Sequence, residues 1–278
     1  MAQNTGVAEH AVRHLVAFLD GPDDPGIANP IHSTAVAATY GFRGPLVGGV
    51  TVYGWCVPPL LDVLDEGWLV RGWADVSFRQ PVYPGDRLAI EVQRVDDGVV
   101  TFSVTTDAGA TCVTGSAGPG DAVWLADIGA PALRRPSESP DPLPGLTLAT
   151  APVGEDLVPM RVATPQDAMA TYATKVQRDD HPRWSDLLHP AWLAARMAPL
   201  LRHNFSYGPS IHARSQLQYL APAGRNGDVV AAARFAEAFE RKGHHYGVFD
   251  GLVTTGPGGA EVLRVRHTSI FRPAKREQ

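Results

Sequence analysis

One order of events occurs twice along this chain, and it constrains the fold more than any single motif. A polar, proline-containing loop leads into an apolar helical stretch, and a run of strands follows. The first pass covers Pro25–Pro30, Gly49–Leu64 and Gly72–Val113; the second covers Asp179–Pro182, Pro190–His203 and Ile211–Phe271. Between them lies Ala130–Glu155, dense in proline and serine, where fixed φ angles and missing backbone donors exclude a long helix or a central strand. The chain therefore divides into a first unit over residues 1–129, a linker over 130–155 and a second unit over 156–278.

Periodicity supplies the elements. Val50, Tyr53, Val57, Leu60, Leu61 and Leu64 recur at spacings of three and four, which predicts a helix, although Pro58-Pro59 should kink or end it near Val57. Trp192, Leu193, Met197, Leu200 and Leu201 share a face of the second helix, with Pro190 tolerated in its first turn and Pro199 threatening a kink near its end. Leu88, Ile90 and Val92 alternate after a Pro84-Gly85-Asp86 turn, and Asp96-Asp97-Gly98 turns the chain into Val99–Thr106. In the second unit, strands are expected over Val229–Ala236, Tyr246–Thr255 and Val262–Phe271. An apolar helix followed by consecutive strands, twice over, is an α+β architecture with a sheet around each helix.

Composition removes several functions. With 24 basic and 29 acidic residues the net charge is −5, which argues against binding the phosphate backbone of nucleic acid. No apolar run reaches the roughly 18 residues needed to span a membrane, and Met1–Asp20 lacks the basic-then-apolar order of an export signal. Two cysteines, Cys56 and Cys112, make no disulfide framework, so a cytoplasmic chain with reduced thiols is expected. No phosphate loop, dinucleotide fingerprint, nucleophile elbow or metal-spaced Cys/His set occurs, and no cofactor or metal is expected.

Asn29-Pro30-Ile31-His32, then Gly41-Phe42 and Gly44-Pro45-Leu46-Val47-Gly48-Gly49-Val50, followed by Phe78-x-x-Pro81-Val82-Tyr83-Pro84-Gly85-Asp86, form an ordered set over about residues 20–117. It resembles the MaoC-like (R)-specific enoyl-CoA hydratase and 3-hydroxyacyl dehydratase family. In that family the signature runs Asp-x-Asn-Pro-x-His, and a His-Gly pair opens the central helix. The second unit is similar in degenerate form: Asp179-Asp180-His181-Pro182 lies on the first motif, His189-Pro190 on the second, and Leu217–Pro222 on the strand. The resemblance implies a double hot-dog, two helix-wrapping antiparallel sheets fused in one chain.

It also implies chemistry. A carboxylate and an imidazole would activate water for addition to a 2-enoyl thioester of coenzyme A or acyl carrier protein, while helix amides hold the thioester oxygen. Here His32 stands at the imidazole position and Asn29 at its usual place, but Ile27 replaces the carboxylate. In the second unit Asp179 stands at the carboxylate position, and Trp184 replaces the imidazole. Three readings follow: Asp24 substitutes beside His32, His32 and Asp179 form a composite site, or hydration is lost and an acyl-binding protein or dehydratase subunit remains. Gly48 and Gly49 would let a ligand approach the amides, whereas Pro190 lacks an N–H. His189 and Trp184 are further candidates for substrate contact.

A thioesterase would need a carboxylate near the central helix, and Asp62, Asp65 and Glu66 lie far along it. Arg214, Arg225, Arg264 and Arg266 are candidates for coenzyme A phosphates. His212 and His267 read as packed strand residues, and His244-His245 as a solvated turn whose rings point apart. Trp192, Phe205 and Tyr207 read as core or tunnel wall. A second copy of the chain or another hot-dog subunit is an open partner.

Overall fold

The computed structural model describes residues 8–96 and 98–275; Asp97 of the expected hairpin turn and Met1–Val7 of the leader expectation lie outside them. Ten strands form one sheet: β1 (His10–Val16), β2 (Gly72–Phe78), β3 (Arg87–Asp96), β4 (Val99–Thr106), β5 (Thr111–Pro119), β6 (Met160–Ala163), β7 (Ile211–Tyr219), β8 (Asp228–Arg241), β9 (His244–Thr255) and β10 (Glu261–Arg272). Its order is β1-β3-β4-β5-β2-β7-β10-β9-β8-β6, all antiparallel. Read inward from either edge, the two halves repeat one connectivity. They meet where β2 pairs with β7, Gly72 opposite Tyr219 through Ser77 opposite Arg214. The helices are α1 (Thr34–Thr39), α2 (Gly49–Leu64), α3 (Gly67–Val70), α4 (Gln166–Thr171), α5 (Pro190–Ala194) and α6 (Met197–Asn204).

α2 is apolar on nearly every side and buried from Thr51 to Val57, as a helix inside a curved sheet must be. The expected alternation packs Leu88, Ile90 and Val92 of β3 into the same core. Pro58 and Pro59 do not end the helix. Proline at position 59 leaves the Trp55 carbonyl without its helical donor, and the Arg13 guanidinium on the inner face of β1 donates to that oxygen at 3.0 Å. The same side chain donates to the Gln177 and Arg178 carbonyls at 3.3 and 2.6 Å, so one group mends the helix and joins the halves. Arg13→Met should cost about 3 kcal/mol of unfolding free energy, since hydrogen bonds from a charged donor contribute about 1.5–3 kcal/mol each. Chemical denaturation measures it.

The second helix differs from the expectation. It breaks at Ala195–Arg196 into α5 and α6. Pro199 explains the position, because a proline clashes with the carbonyl four residues earlier, which is that of Ala195. The kink thus falls mid-helix rather than near its end. Residues 130–155 run over the second half, pinned by Leu146 N–H to the Ser206 carbonyl (3.1 Å) and Ser206 N–H to the Pro144 carbonyl (2.9 Å).

Across the junction, Tyr53 and Tyr219 share a hydroxyl hydrogen bond of 2.8 Å, and Trp55 Nε1 donates to the Val176 carbonyl at 2.9 Å. No described helix is long and apolar enough to cross a membrane. Cys56 and Cys112 are free and buried. Burial pushes the Cys56 thiol up to about 12, so it is not a nucleophile.

Candidate functional site

A cavity of about 680 Å3 opens at the start of α2, and both halves of the chain line it. Asn29, His32, Gly48, Gly49 and Phe78 come from the first half; Ser210, His212, His267 and the alanines around the α5–α6 break (Ala194, Ala195, Ala198) come from the second. The expected residues Asn29, His32, Gly48 and Gly49 thus converge.

Pro30–His32 form a 3-10 turn that buries Ile31 and turns His32 toward the cavity. His32 Nδ1 lies 2.6 Å from the Leu46 carbonyl, which can only accept, so Nδ1 carries the proton. Nε2 is then a lone pair, 3.1 Å from the Asn29 side-chain amide. That amide is itself oriented by the second half: Asn29 Oδ1 accepts from Ser210 N–H and Nδ2 donates to the Ser210 carbonyl, both at 3.0 Å. A water entering the cavity competes with Asn29 for Nε2.

Beside His32, the first intrahelical bond of α2 runs from Val52 N–H to the Gly48 carbonyl, leaving the amides before it without helical partners. The helix dipole adds partial positive charge there. Gly48 keeps the entrance open: a Cβ at that position would sit 3.3 Å from Thr51 Oγ1 and 3.9 Å from His32 Cε1.

The carboxylates depart from expectation. Asp24 is exposed and folds back to accept from Gly26 N–H at 2.7 Å; it does not line the cavity, so it is not the substitute acid. Asp23 holds Thr34, accepting from its N–H and hydroxyl at 2.6 Å each. Asp179 is buried against His189, Nε2 to Oδ2 3.6 Å, and is likewise absent from the cavity wall, which removes the composite His32–Asp179 site. The single carboxylate among the described lining residues is Asp20, whose Oδ2 accepts from Thr51 Oγ1 at 2.7 Å. No motif marks Asp20 in the sequence. Among the described residues, no three His, Cys, Asp or Glu side chains gather to hold a metal.

No family model and no curated protein matches this chain. Solved structures do. A MaoC-like dehydratase aligns with a TM-score of 0.61 at 15% identity, over 97% of this chain and 99% of the other. The double hot-dog protein RV0216 of Mycobacterium tuberculosis aligns at 0.59 and 15% identity, over 88% and 86%. A protein described as an oleoyl thioesterase from Lactobacillus plantarum aligns at 0.54 and 10% identity, over 97% and 98%. The fold is a double hot-dog.

The second hot-dog has the same entrance, filled. Leu188 N–H bonds the Ala223 carbonyl at 2.7 Å, as Val47 N–H bonds that of Val82 at 2.9 Å in the first. A 3-10 turn at Pro182–Ser185 buries Trp184 against the His189 ring, centroids 4.7 Å apart. Only about 10 Å3 remains among Trp184, Leu188, Pro190, Leu193, Tyr219 and Ala223. Trp184 and His189 are therefore plugs rather than substrate contacts. His189 caps α5 through Nδ1, and burial holds its pKa below the ordinary imidazole value.

The arginines expected at phosphates are engaged elsewhere. Arg214 pairs with Asp75 (2.9 Å), Arg264 with Glu261 (2.9 Å) and Arg266 with Asp250 (2.7 Å). Arg225 donates to the Leu187 and Gln166 carbonyls, and none of the four lines the cavity. Arg79, Lys242 and Lys275 line it instead, all exposed. His244 also lines it and accepts from Ala274 N–H at 2.9 Å, so it is not a solvated turn residue; His245 turns away toward Glu240.

His212 and His267 are packed strand residues as expected, and both also line the cavity. Strict alternation puts His212 and Ser215 on opposite faces of β7. The β7–β10 register shifts between Thr268 and Ser269, leaving Ala213 unpaired, and this bulge brings His212 to the inner face. Its ring stacks between Phe78 and His267, centroids 4.3 Å from each. Burial and the neighbouring His267 hold His212 well below the ordinary value, and burial takes His267 down to about 4. A histidine that is neutral when folded and protonated when unfolded supports the fold above about pH 6.5 and loses that support as pH falls toward the folded pKa. Stability should therefore drop by roughly 3 kcal/mol between pH 6.5 and 4 from His267 alone. Urea melts across that range should show a shallower loss for His267→Phe.

Proposed function

We propose that the chain is a hydratase/dehydratase acting on 2-enoyl and 3-hydroxyacyl thioesters, working in the first hot-dog alone. The observation that carries this reading is the meeting of a directed imidazole lone pair and an unpartnered helix N-terminus in one open cavity. A thioester carbonyl accepts from Gly49 N–H, whose neighbourhood stabilises the enolate oxygen as charge develops. His32 Nε2 displaces the Asn29 amide and takes a proton from water; the water oxygen bonds to C3 and the proton is returned to C2. Dehydration runs the same steps backward.

Asp20 supplies the carboxylate that Ile27 lacks. Thr51 Oγ1 and His32 Cε1 both flank the Gly48 position, and Asp20 accepts from Thr51, so acid and imidazole border the same helix entrance. The carrier is coenzyme A or acyl carrier protein. Mixing the pure chain with a 2-enoyl-CoA should bleach the conjugated enoyl absorbance, and an acyl-carrier-protein thioester run in parallel separates the carriers. No bleaching on either carrier overturns hydration.

A second reading has its own support. A carboxylate on the first turn of the central helix is where a thioesterase would activate water, and Asp20 on Thr51 fits that place better than Asp62, Asp65 or Glu66 at the far end. Release of free thiol selects it, because hydration bleaches the conjugated thioester while leaving the carrier attached.

A further inference from the structure

We propose that His212, contributed by the second hot-dog, is a second donor to the thioester carbonyl. Its neutral Nδ1–H would share with Gly49 N–H the oxygen on which charge accumulates. The proposal rests on the reading that an acyl thioester occupies this cavity, and it goes beyond the family pattern, in which one motif loop and one helix end carry the chemistry.

His212 Nδ1 is buried with no hydrogen-bond partner among the described residues. Such an atom either wastes its bonding capacity or faces something still to arrive. It faces the helix entrance: a Cβ built on Gly49 would meet Nδ1 at 3.2 Å, His212 Cβ at 3.1 Å and Phe78 Cε1 at 3.1 Å. A Cβ lies roughly 2.5 Å from its own backbone nitrogen by standard geometry. Nδ1 is therefore within about 5.7 Å of Gly49 N, and one oxygen at about 2.9 Å from each can bridge them. The missing side chain at Gly49 is what leaves that space.

The proton on Nδ1 is set by the groups behind the ring. Ser215 Oγ lies 2.8 Å from His212 Nε2 and 3.2 Å from His267 Nδ1. When His267 Nδ1–H donates to Ser215 and the Ser215 hydroxyl donates to His212 Nε2, the remaining proton of His212 is on Nδ1. The reverse arrangement turns a lone pair toward the carbonyl oxygen and repels it, so a bound thioester selects the first. Ser215 and His267 are positioning residues. His212 stays uncharged because burial and His267 both oppose a cation there, and a neutral imidazole polarises a carbonyl without capturing unrelated anions.

The test uses 4-(dimethylamino)cinnamoyl-CoA, whose absorption moves to longer wavelength when its thioester carbonyl is polarised. The wild-type chain should bind it with a red shift. His212→Phe keeps the stacking and removes the donor, so it should lose most of the shift at saturating probe. Ser215→Ala should weaken the shift and Ser215→Thr restore it, which a merely structural role would not do. On a 2-enoyl-CoA, His212→Phe should lower kcat about 10²–10³-fold with KM nearly unchanged. His32→Ala should lower hydration by about two to four orders of magnitude and keep the shift.

A full red shift in both His212→Phe and Ser215→Ala overturns the proposal, as does a wild-type chain that binds the probe without any shift or fails to bind it. A shift that depends on His212 in a chain that hydrates no enoyl thioester upholds the donor and overturns the hydratase reading instead. If His212→Phe fails to fold, judged by its melting curve, the serine pair carries the test.

Discussion

His32→Ala should lower hydration turnover by about two to four orders of magnitude, the range a positioned proton-transfer group supplies. The effect should appear in kcat, since alanine removes the group that takes the water proton while the helix entrance and acyl walls remain. Steady-state rates on a 2-enoyl-CoA read it directly. The same change frees the Leu46 carbonyl, which His32 Nδ1–H holds at 2.6 Å, so a melting curve must accompany the rates. Asp20→Asn should act in the same direction. A variant at position 32 with unchanged turnover removes this histidine from the mechanism.

Gly54→Val should be among the most damaging single changes to stability. Gly54 lies where α2 crosses the second half: a Cβ there would be 1.8 Å from Gln177 Oε1 and 2.9 Å from Ala191 Cβ. Gln177 is fully buried and Ala191 belongs to α5, so neither has solvent to move into. Overpacking of this kind costs about 1–3 kcal/mol and occasionally more, and a branched side chain should reach the top of that range. Against a total stability of about 5–15 kcal/mol, the melting temperature should fall by roughly 6–12 °C. Gly21→Ala, where no atom lies within 4 Å of the added carbon, is the control expected to change little.

The duplicated order of loop, helix and strands was legible because it rests on local periodicity: alternation in β3 and the three-and-four spacing of α2 need no tertiary information. His32, Asn29, Gly48 and Gly49 could be singled out for the same reason, as they sit in continuous motifs, and the structure sets all four on one cavity. What failed needed the third dimension. Nothing in the sequence says that Arg13, forty-two residues before Trp55, would supply the donor that Pro59 withholds. Asp20 carries no motif, and only the folded chain sets it on the cavity wall beside Thr51. His212 is packed as read, but its place on the cavity wall depends on a one-residue bulge at Ala213, which alternation cannot reveal before the partner strand is known. Asp24 was chosen by nearness in sequence, Asp179 by its motif position and the four arginines by type, and each proved to have a partner elsewhere.

The tryptophan plug in the second hot-dog decides the molecule's stoichiometry. Each half of this chain has a doorway, and one of the two is bricked up from within, so a calorimetric titration should saturate at one equivalent of acyl thioester per polypeptide. With no sister site to respond, rate should rise with concentration along a plain hyperbola. Freed from admitting a guest, the closed half serves as a fixed wall that lends its side chains to its neighbour.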